Sequence, residues 1–378
     1  MYLNSIPMSE PDLTEDDIEA VVRVLRSKRW SLGPCLEAFE ETFARYVGTR
    51  YAVGVSSGTA GLHCAVAAAE IGPGDAVITT SFSFVASANC ILFQNADPVF
   101  VDIDEESLNI DPALLPAALS ERTRAVLPVH VFGQPSDMDR IADAVAGRDI
   151  VVIEDACEAI GSEYKGRKAG SLGDMAAFGF YPNKQIATGE GGIVTCDDPV
   201  LAGRLRSIRN QGRDAMGTWL RHVQLGYNYR LPEASAALAN SQLGRIDDLL
   251  ARRSQVASWY ADRLARFDTV RLLTPAPETT RFSWFVFVIR LDAGIDRDAV
   301  IESLDRQGIP SRPYFAPIHL QPYYRDRFGY TEGMLPVTER VARTTLALPF
   351  HANMREAEVA RVVEALRLAI GSAAQGQR

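Results

Sequence analysis

Between residues 52 and about 195 the chain alternates short apolar runs with stretches of helical periodicity, and this alternation restricts the possible folds most. The runs are Ala52–Val55, Ala76–Thr79, Pro98–Val101, Ala125–Val129 and Ile150–Ile153. Helical segments over Thr59–Glu70 and Val85–Gln94 separate the first three. A run that is apolar throughout, rather than at every second residue, is a strand covered on both faces. The pattern therefore predicts an α/β fold with a mainly parallel sheet between helices. Ligands of such sheets lie at the carboxyl ends of the strands. Ser57, Phe84 and Asp155 fall at or just beyond such ends.

A chain of 378 residues exceeds what one core usually holds, which predicts two domains. The expected division is 1–250 for a large domain and 251–378 for a small α+β domain. A long helical region over about 232–267 links them, with Ile246, Leu249, Leu250 and Val256 as its apolar stripe. The Thr- and Pro-rich stretch Thr269–Pro277 reads as a linker. Beyond it, Ser283–Ile289 reads as a strand, and a last helix from Asn353 buries Val359, Val362, Val363 and Leu366. At the other end, Thr14 and Asp17 have capping-box spacing. They open a helix with Ile18, Val21, Val22 and Leu25 as its apolar stripe, and a second helix covers Leu36–Tyr46. The tail after Ile370 has the composition of a disordered end.

The formal net charge of −9 argues against general affinity for nucleic acid or anionic membranes, without excluding a local anion site. No apolar run approaches the length of a membrane span. The N-terminus lacks the basic-then-apolar pattern of a secretory signal. The five cysteines are widely spaced with no CxxC pair, so neither a disulfide framework nor a zinc site is expected, and a reducing cytoplasm fits. His63, His130, His222 and His351 have no metal-ligand spacing, and no metal is expected.

Asp155 ends the run Ile150–Asp155, and 29 positions later Lys184 sits in the Gly-rich segment Phe180–Gly192. An acid at a strand end followed by such a lysine is what pyridoxal phosphate (PLP) chemistry requires. The lysine forms a Schiff base with the cofactor aldehyde, and the acid keeps the pyridine nitrogen protonated so that the ring accepts electrons. Taken alone, Lys184 reads as a solvated turn residue and Asp155 as a helix cap; their occurrence together favours the cofactor role. Ser57-Gly58-Thr59 opens a helix after a strand, which suits either a phosphate or an ordinary cap.

These motifs, together with Trp30–Pro34 and Leu346–His351, resemble the DegT/DnrJ/EryC1/StrS aminotransferases over nearly the whole chain. The resemblance implies an aspartate-aminotransferase-like fold of type I, with a seven-stranded type of sheet in the large domain. It implies that Gly58 and Thr59 hold the PLP phosphate, Phe84 stacks on the ring and Glu158 meets the phenolic oxygen. Many members have Gln or His at the place of Glu158; perosamine-synthase-like members have Glu. Gly179 stands where the family often has a phosphate-binding Ser. Asn228 matches a residue that reaches the cofactor phosphate of a neighbouring subunit, which implies a homodimer with shared active sites. Each of these also has an ordinary reading: Phe84 as core, Asn228 as a turn, Arg230 as a partner of Glu233. Arg312 and His319 resemble the family's substrate-facing C-terminal segment. The implied reaction moves an amino group from L-glutamate to a nucleotide-linked 4-keto-6-deoxy sugar for glycan or antibiotic biosynthesis, with O-antigen among the expected destinations. A keto-inositol or 3-keto sugar aminotransferase is the alternative, and a non-catalytic regulatory relative is the reading from a different class.

Overall fold

The computed structural model describes residues 6–214 and 220–375. Its centre is a seven-stranded sheet. The strands are β1 (Tyr51–Val55), β2 (Ala76–Thr80), β3 (Asp97–Val101), β4 (Thr123–Leu127) and β5 (Val151–Asp155). A short hairpin, β6 (Glu163–Tyr164) and β7 (Arg167–Lys168), precedes β8 (Met175–Gly179) and β9 (Gly192–Cys196). The sheet order is β1-β9-β8-β5-β4-β2-β3. Pairing is parallel from β3 to β8, and β9 runs antiparallel to both β8 and β1. The expected mainly parallel sheet is thus present, with one reversed strand. Every residue of β2 and β9 is buried, as a strand covered on both faces requires.

The parallel order brings the ends of β1, β2, β5 and β8 to one rim of the sheet. The reversed β9 begins at that rim, so the turn Phe180–Gly191 crosses it between β8 and β9. This turn carries Lys184.

The capping box at Thr14 and Asp17 forms and starts the helix Glu15–Ser27. Its buried face differs from the expected one. Ile18 is 46% and Leu25 53% exposed, and Val21 and Val22 are half-buried. The buried side chains are Asp17, Ala20 and Val24. Ala20 and Val24 pack against Ala237 on the helix Glu233–Leu243, and Asp17 receives a hydrogen bond from the Arg245 guanidinium at 2.7 Å. Small residues and an ion pair set this contact, so the larger aliphatics face outward.

The long helical region breaks into Glu233–Leu243 and Ile246–Leu264 at Gly244-Arg245, where Arg245 turns to Asp12 and Asp17. The four expected stripe residues of 246–256 are buried. Strands β10 (Val270–Leu272), β12 (Phe287–Leu291) and β13 (Thr345–Leu348) form an antiparallel sheet, and β11 (Thr279–Arg281) joins the β6–β7 hairpin. The expected strand over Ser283–Ile289 starts only at Phe287. Trp284 adopts a left-handed φ of 50°, and this turn sends Phe285 inward. The last helix starts at Glu356 and runs to Gln375, so the segment after Ile370 is helical rather than a loose tail; residues 376–378 lie outside the described residues. Val359, Val362, Val363 and Leu366 are buried as expected, in a cluster with Val256, Tyr260 and Phe287. No helix among the described residues is long and apolar enough to cross a membrane.

Candidate active site

The helix Gly58–Ala68 points its N-terminus at the rim of the sheet. Ser57 is its N-cap, and the Ser57 hydroxyl accepts from the Ala60 N–H at 3.1 Å. The N–H groups of Gly58 and Thr59 lie in the first turn, where no intrahelical acceptor exists, and the helix dipole adds positive potential there. Backbones approach closely around this turn. A Cβ at Gly192 would stand 2.6 Å from the Ser57 carbonyl. A Cβ at Gly58 would stand 2.8 Å from Cys157 Sγ and 3.2 Å from Gly179 Cα. Gly58 and Gly192 are therefore required for the loop to lie against β8 and β9, whereas a Cβ at Gly179 would meet only ordinary contacts.

Asp155, at the end of β5, is 6% exposed. The Ser87 hydroxyl donates to its Oδ2 at 2.6 Å, and the Cys157 N–H donates to its Oδ1 at 3.2 Å. Ser87 Oγ also contacts Ser83 Oγ at 2.8 Å and lies 3.2 Å from the Phe84 carbonyl, which ties the acid to the loop bearing Phe84. The Phe84 ring is 62% exposed, whereas Phe82 is fully buried, so the bend after β2 sends the two rings opposite ways.

Glu158 accepts from the Phe132 N–H at 2.8 Å, and its Oε1 lies 3.6 Å from Lys184 Nζ. Burial pushes the Glu158 carboxyl above the usual carboxylate range, with the Lys184 ammonium opposing that shift. Burial and the Asp155 charge push the Cys157 thiol well up, so it is not a reactive thiolate. The Lys184 ammonium also lies over the face of Phe285, 3.8 Å from the ring centroid. Two side-chain amides tie the Lys184 turn to remote elements. Gln185 donates to the Glu158 carbonyl at 2.8 Å and to Ser283 Oγ at 3.0 Å. Gln242 exchanges two hydrogen bonds with the backbone of Ala187.

Of the nine residues singled out from the sequence, Gly58, Thr59, Asp155, Glu158 and Lys184 converge on this rim. Phe84 stands at its edge. Arg312 is exposed and acts electrostatically on Tyr314, which in turn interacts with Glu158 and Asn183. His319 does not face a substrate. It is fully buried, with Nδ1 2.7 Å from Ser81 Oγ and Nε2 3.2 Å from Glu339 Oε1. Both ring nitrogens are engaged, and burial holds the imidazole below its usual range, so it joins Ser81 to the segment after Pro317 as a structural residue. Asn228 is exposed and pairs with Asn210. Glu233 does not pair with Arg230. It is 1% exposed and accepts from the N–H groups of Gly33, Cys35 and Leu36 at 2.9–3.0 Å, capping the helix Pro34–Val47. Arg230 donates to Asn210 instead.

Sequence reasoning missed Ser87, Gln185, Gln242 and Phe285. Ser87 lies one helical turn beyond Ser83 and had that spacing as a signal. Gln185, Gln242 and Phe285 carried none, because their partners are distant in the chain.

The residues fit PLP. The acid for the ring nitrogen is buried and already oriented, the helix terminus offers unpaired N–H groups, and the glycine-lined cradle is one that a Cβ at Gly58 would fill. Comparison with known proteins agrees. The profile of the DegT/DnrJ/EryC1/StrS aminotransferase family matches residues 11–367. The GDP-perosamine synthase of Caulobacter vibrioides is 39% identical over 368 residues, covering 96% of this chain and 98% of the relative. The spore coat polysaccharide biosynthesis protein SpsC of Bacillus subtilis is 39% identical over 376 residues, covering 96% of each. Among solved structures, S. venezuelae DesV in complex with a ketimine intermediate has a TM-score of 0.90 and 37% identity, covering 96% of this chain and 98% of that one. The putative sugar aminotransferase Spr1654 of Streptococcus pneumoniae, in its PMP form, has a TM-score of 0.92 and 28% identity, covering 97% and 100%.

Proposed function

The chain belongs to the DegT/DnrJ/EryC1/StrS aminotransferase family as a PLP-dependent sugar aminotransferase, and on that premise we propose that it moves an amino group from L-glutamate to a nucleotide-linked 4-keto-6-deoxy sugar. The observation that carries this reading is the convergence of Lys184, Glu158 and Asp155 on the N-terminus of the helix Gly58–Ala68. PLP, when bound, supplies an aldehyde that takes up amino groups and a ring that accepts electrons. Gly58 and Thr59 would hold its phosphate, Asp155 its ring nitrogen, Phe84 its ring face and Glu158 its phenolic oxygen.

Lys184 has two tasks. Its Nζ anchors the cofactor, and once displaced by the donor it acts as the base that removes the Cα proton. The charged neighbours of Nζ stabilise the ammonium this produces, which keeps the proton available for return. The product of the donor, 2-oxoglutarate, leaves before the keto sugar enters, and the same lysine runs the proton transfer in reverse. The exposed Arg312 guanidinium at the rim suits the donor carboxylate or a nucleotide phosphate. The GDP-perosamine synthase relative supports the 4-keto sugar over the 3-keto sugar or keto-inositol alternative.

The site is read as completed by a second copy. Asn228 is exposed, and the segment leading to it exposes Leu220 by 58%, Val223 by 53% and Leu225 by 80%. Such an apolar strip beside a polar residue suits a subunit contact. The division into units of 1–250 and 251–378 and a cytoplasmic location belong to the same proposal.

The test is visible absorption of the purified chain with PLP, followed by L-glutamate without sugar. Loss of the cofactor–lysine band with release of 2-oxoglutarate, absent in Lys184→Ala, is the expected result. A panel of 4-keto nucleotide sugars then gives the acceptor. A band that glutamate does not bleach overturns the donor, and turnover of a keto-inositol alone overturns the acceptor.

A further inference from the structure

Resting on that reading, we infer that Phe285 and Glu158 form a dedicated resting place for the side chain of Lys184 whenever it is not bonded to the cofactor, and that Arg253 is the positioning residue that holds this place in register. The Nζ atom lies 3.8 Å from the centroid of the Phe285 ring and 3.6 Å from Glu158 Oε1. An aromatic face and a carboxylate both stabilise positive charge, and both do so more strongly away from water. The Lys184 side chain is 14% and the Glu158 side chain 9% exposed, and Phe285 is 2% exposed.

The two walls are held from opposite sides. Glu158 is fixed by the Phe132 N–H at 2.8 Å. Phe285 belongs to a turn that no strand supports, since β12 begins two residues later and Trp284 has a left-handed φ of 50°. Arg253, on the helix Ile246–Leu264, supplies the support. Its Nε donates to the Trp284 carbonyl at 2.8 Å and its Nη2 to the Phe285 carbonyl at 2.6 Å. Arg253 is 4% exposed and makes no ion pair among the described residues, so a buried guanidinium is committed to two backbone carbonyls. The Phe285 N–H reaches back to the Phe132 carbonyl at 3.2 Å, so Phe132 contacts both walls through its own N–H and C=O.

Two states of the reaction need this place. The lysine is free in the cofactor-free chain and again after the donor has displaced it. In the second state Nζ must carry a proton without drifting into solvent. A site that favours the ammonium keeps Nζ and its proton in place until the proton is returned. It does so without a permanent ion pair at full contact distance, which would immobilise the lysine.

The chain suits a direct test, because Lys28, Lys165, Lys168 and Lys184 are its only lysines. Reductive ¹³C-dimethylation of the cofactor-free full-length chain gives a resolvable set of lysine signals, and Lys184→Arg assigns the one of interest. Other titratable groups around Nζ are Asp155, Glu158 and the neutral Cys157 thiol, and they are left unchanged in the key variants. Phe285→Leu is expected to lower the titration midpoint of the Lys184 signal by about half a unit to one and a half units. A ring-fluorinated phenylalanine at position 285 keeps the shape and weakens the face potential. It is expected to move the midpoint in the same direction, even where the leucine variant folds poorly. Arg253→Met is expected to broaden the signal and lower the midpoint by less. An unchanged midpoint with the fluorinated ring overturns the role of Phe285. A Phe285 effect with no Arg253 effect overturns the positioning role. The titration uses no cofactor and no sugar. Failure of wild-type chain to take up PLP would therefore overturn the proposed function and leave this result standing.

Discussion

The facing glycines 58 and 179 allow the phosphate cradle to be tested by substitutions of opposite sign. At Gly58 an added Cβ would lie 2.8 Å from Cys157 Sγ and 3.2 Å from Gly179 Cα. At Gly179 the same atom would lie 3.4 Å from Gly58 Cα and 3.6 Å from Cys157 Sγ, ordinary contact distances, and its φ is not left-handed. Gly58→Ala therefore overpacks a tight, half-buried turn, at a cost of about 1–3 kcal/mol. A Gly179→Ser side chain fits and places a hydroxyl beside the N–H groups of the helix terminus. One hydrogen bond to a charged group contributes about 1.5–3 kcal/mol, and fixing the serine rotamer removes part of that. The expected net gain is about 1.4 kcal/mol, or about tenfold tighter PLP binding. Equilibrium dialysis of the cofactor-free chain against PLP and against pyridoxal, which lacks the phosphate, is the assay. Gly179→Ser should tighten PLP and leave pyridoxal unchanged. Gly58→Ala should weaken PLP about tenfold, and adding Cys157→Ala should recover part of the loss by removing the nearest clash. Equal tightening of both ligands by Gly179→Ser, or none, would refute the placement of the phosphate between these glycines.

Three further outcomes are expected. Glu233→Ala leaves the N–H groups of Gly33, Cys35 and Leu36 without their acceptor in a buried site, so urea denaturation should show a loss of about 3 kcal/mol or more. Burial lowers the His63 imidazole from 6.5 to about 4, so above pH 6.5 it is neutral in both folded and unfolded chains. As pH falls through 6.5 toward 4 only the unfolded chain takes up the proton. Stability drops across that window by at most about 3 kcal/mol, reduced by residual solvent screening. His63→Gln should flatten that slope in denaturation measured at several pH values; buried His319 and His351 contribute with the same sign. Ser87→Ala removes the 2.6 Å hydroxyl donor to Asp155 while leaving the acid buried, so PLP affinity should fall about tenfold with little change in global stability, measured by dialysis and thermal unfolding together.

The sequence by itself determined the layers of the fold and the parallel strands β1 to β5. Those depend on local patterns: a continuous apolar run for β2, a capping box at Thr14 and a glycine-rich turn around Lys184. It also pointed to Asp155 and Lys184 as partners, because their joint occurrence outweighs the ordinary reading of each. Tertiary structure decided what depends on partners distant in the chain. Packing against Ala237 and Arg245 turned Asp17 inward and Ile18 outward, contrary to hydrophobicity. Ser81 and Glu339 took both nitrogens of His319 and made a residue of catalytic type structural. Glu233 satisfied a helix terminus about two hundred residues earlier, where Arg230 would have been the neighbouring choice. Phe285 came to lie under Lys184 through a turn whose carbonyl meets Arg253 and whose N–H meets Phe132. Periodicity records how a segment presents its side chains, and it carries no information on which remote donor or acceptor will meet them. Buried polar groups must find such partners to avoid the cost of desolvation, so their roles are settled only when the chain closes on itself.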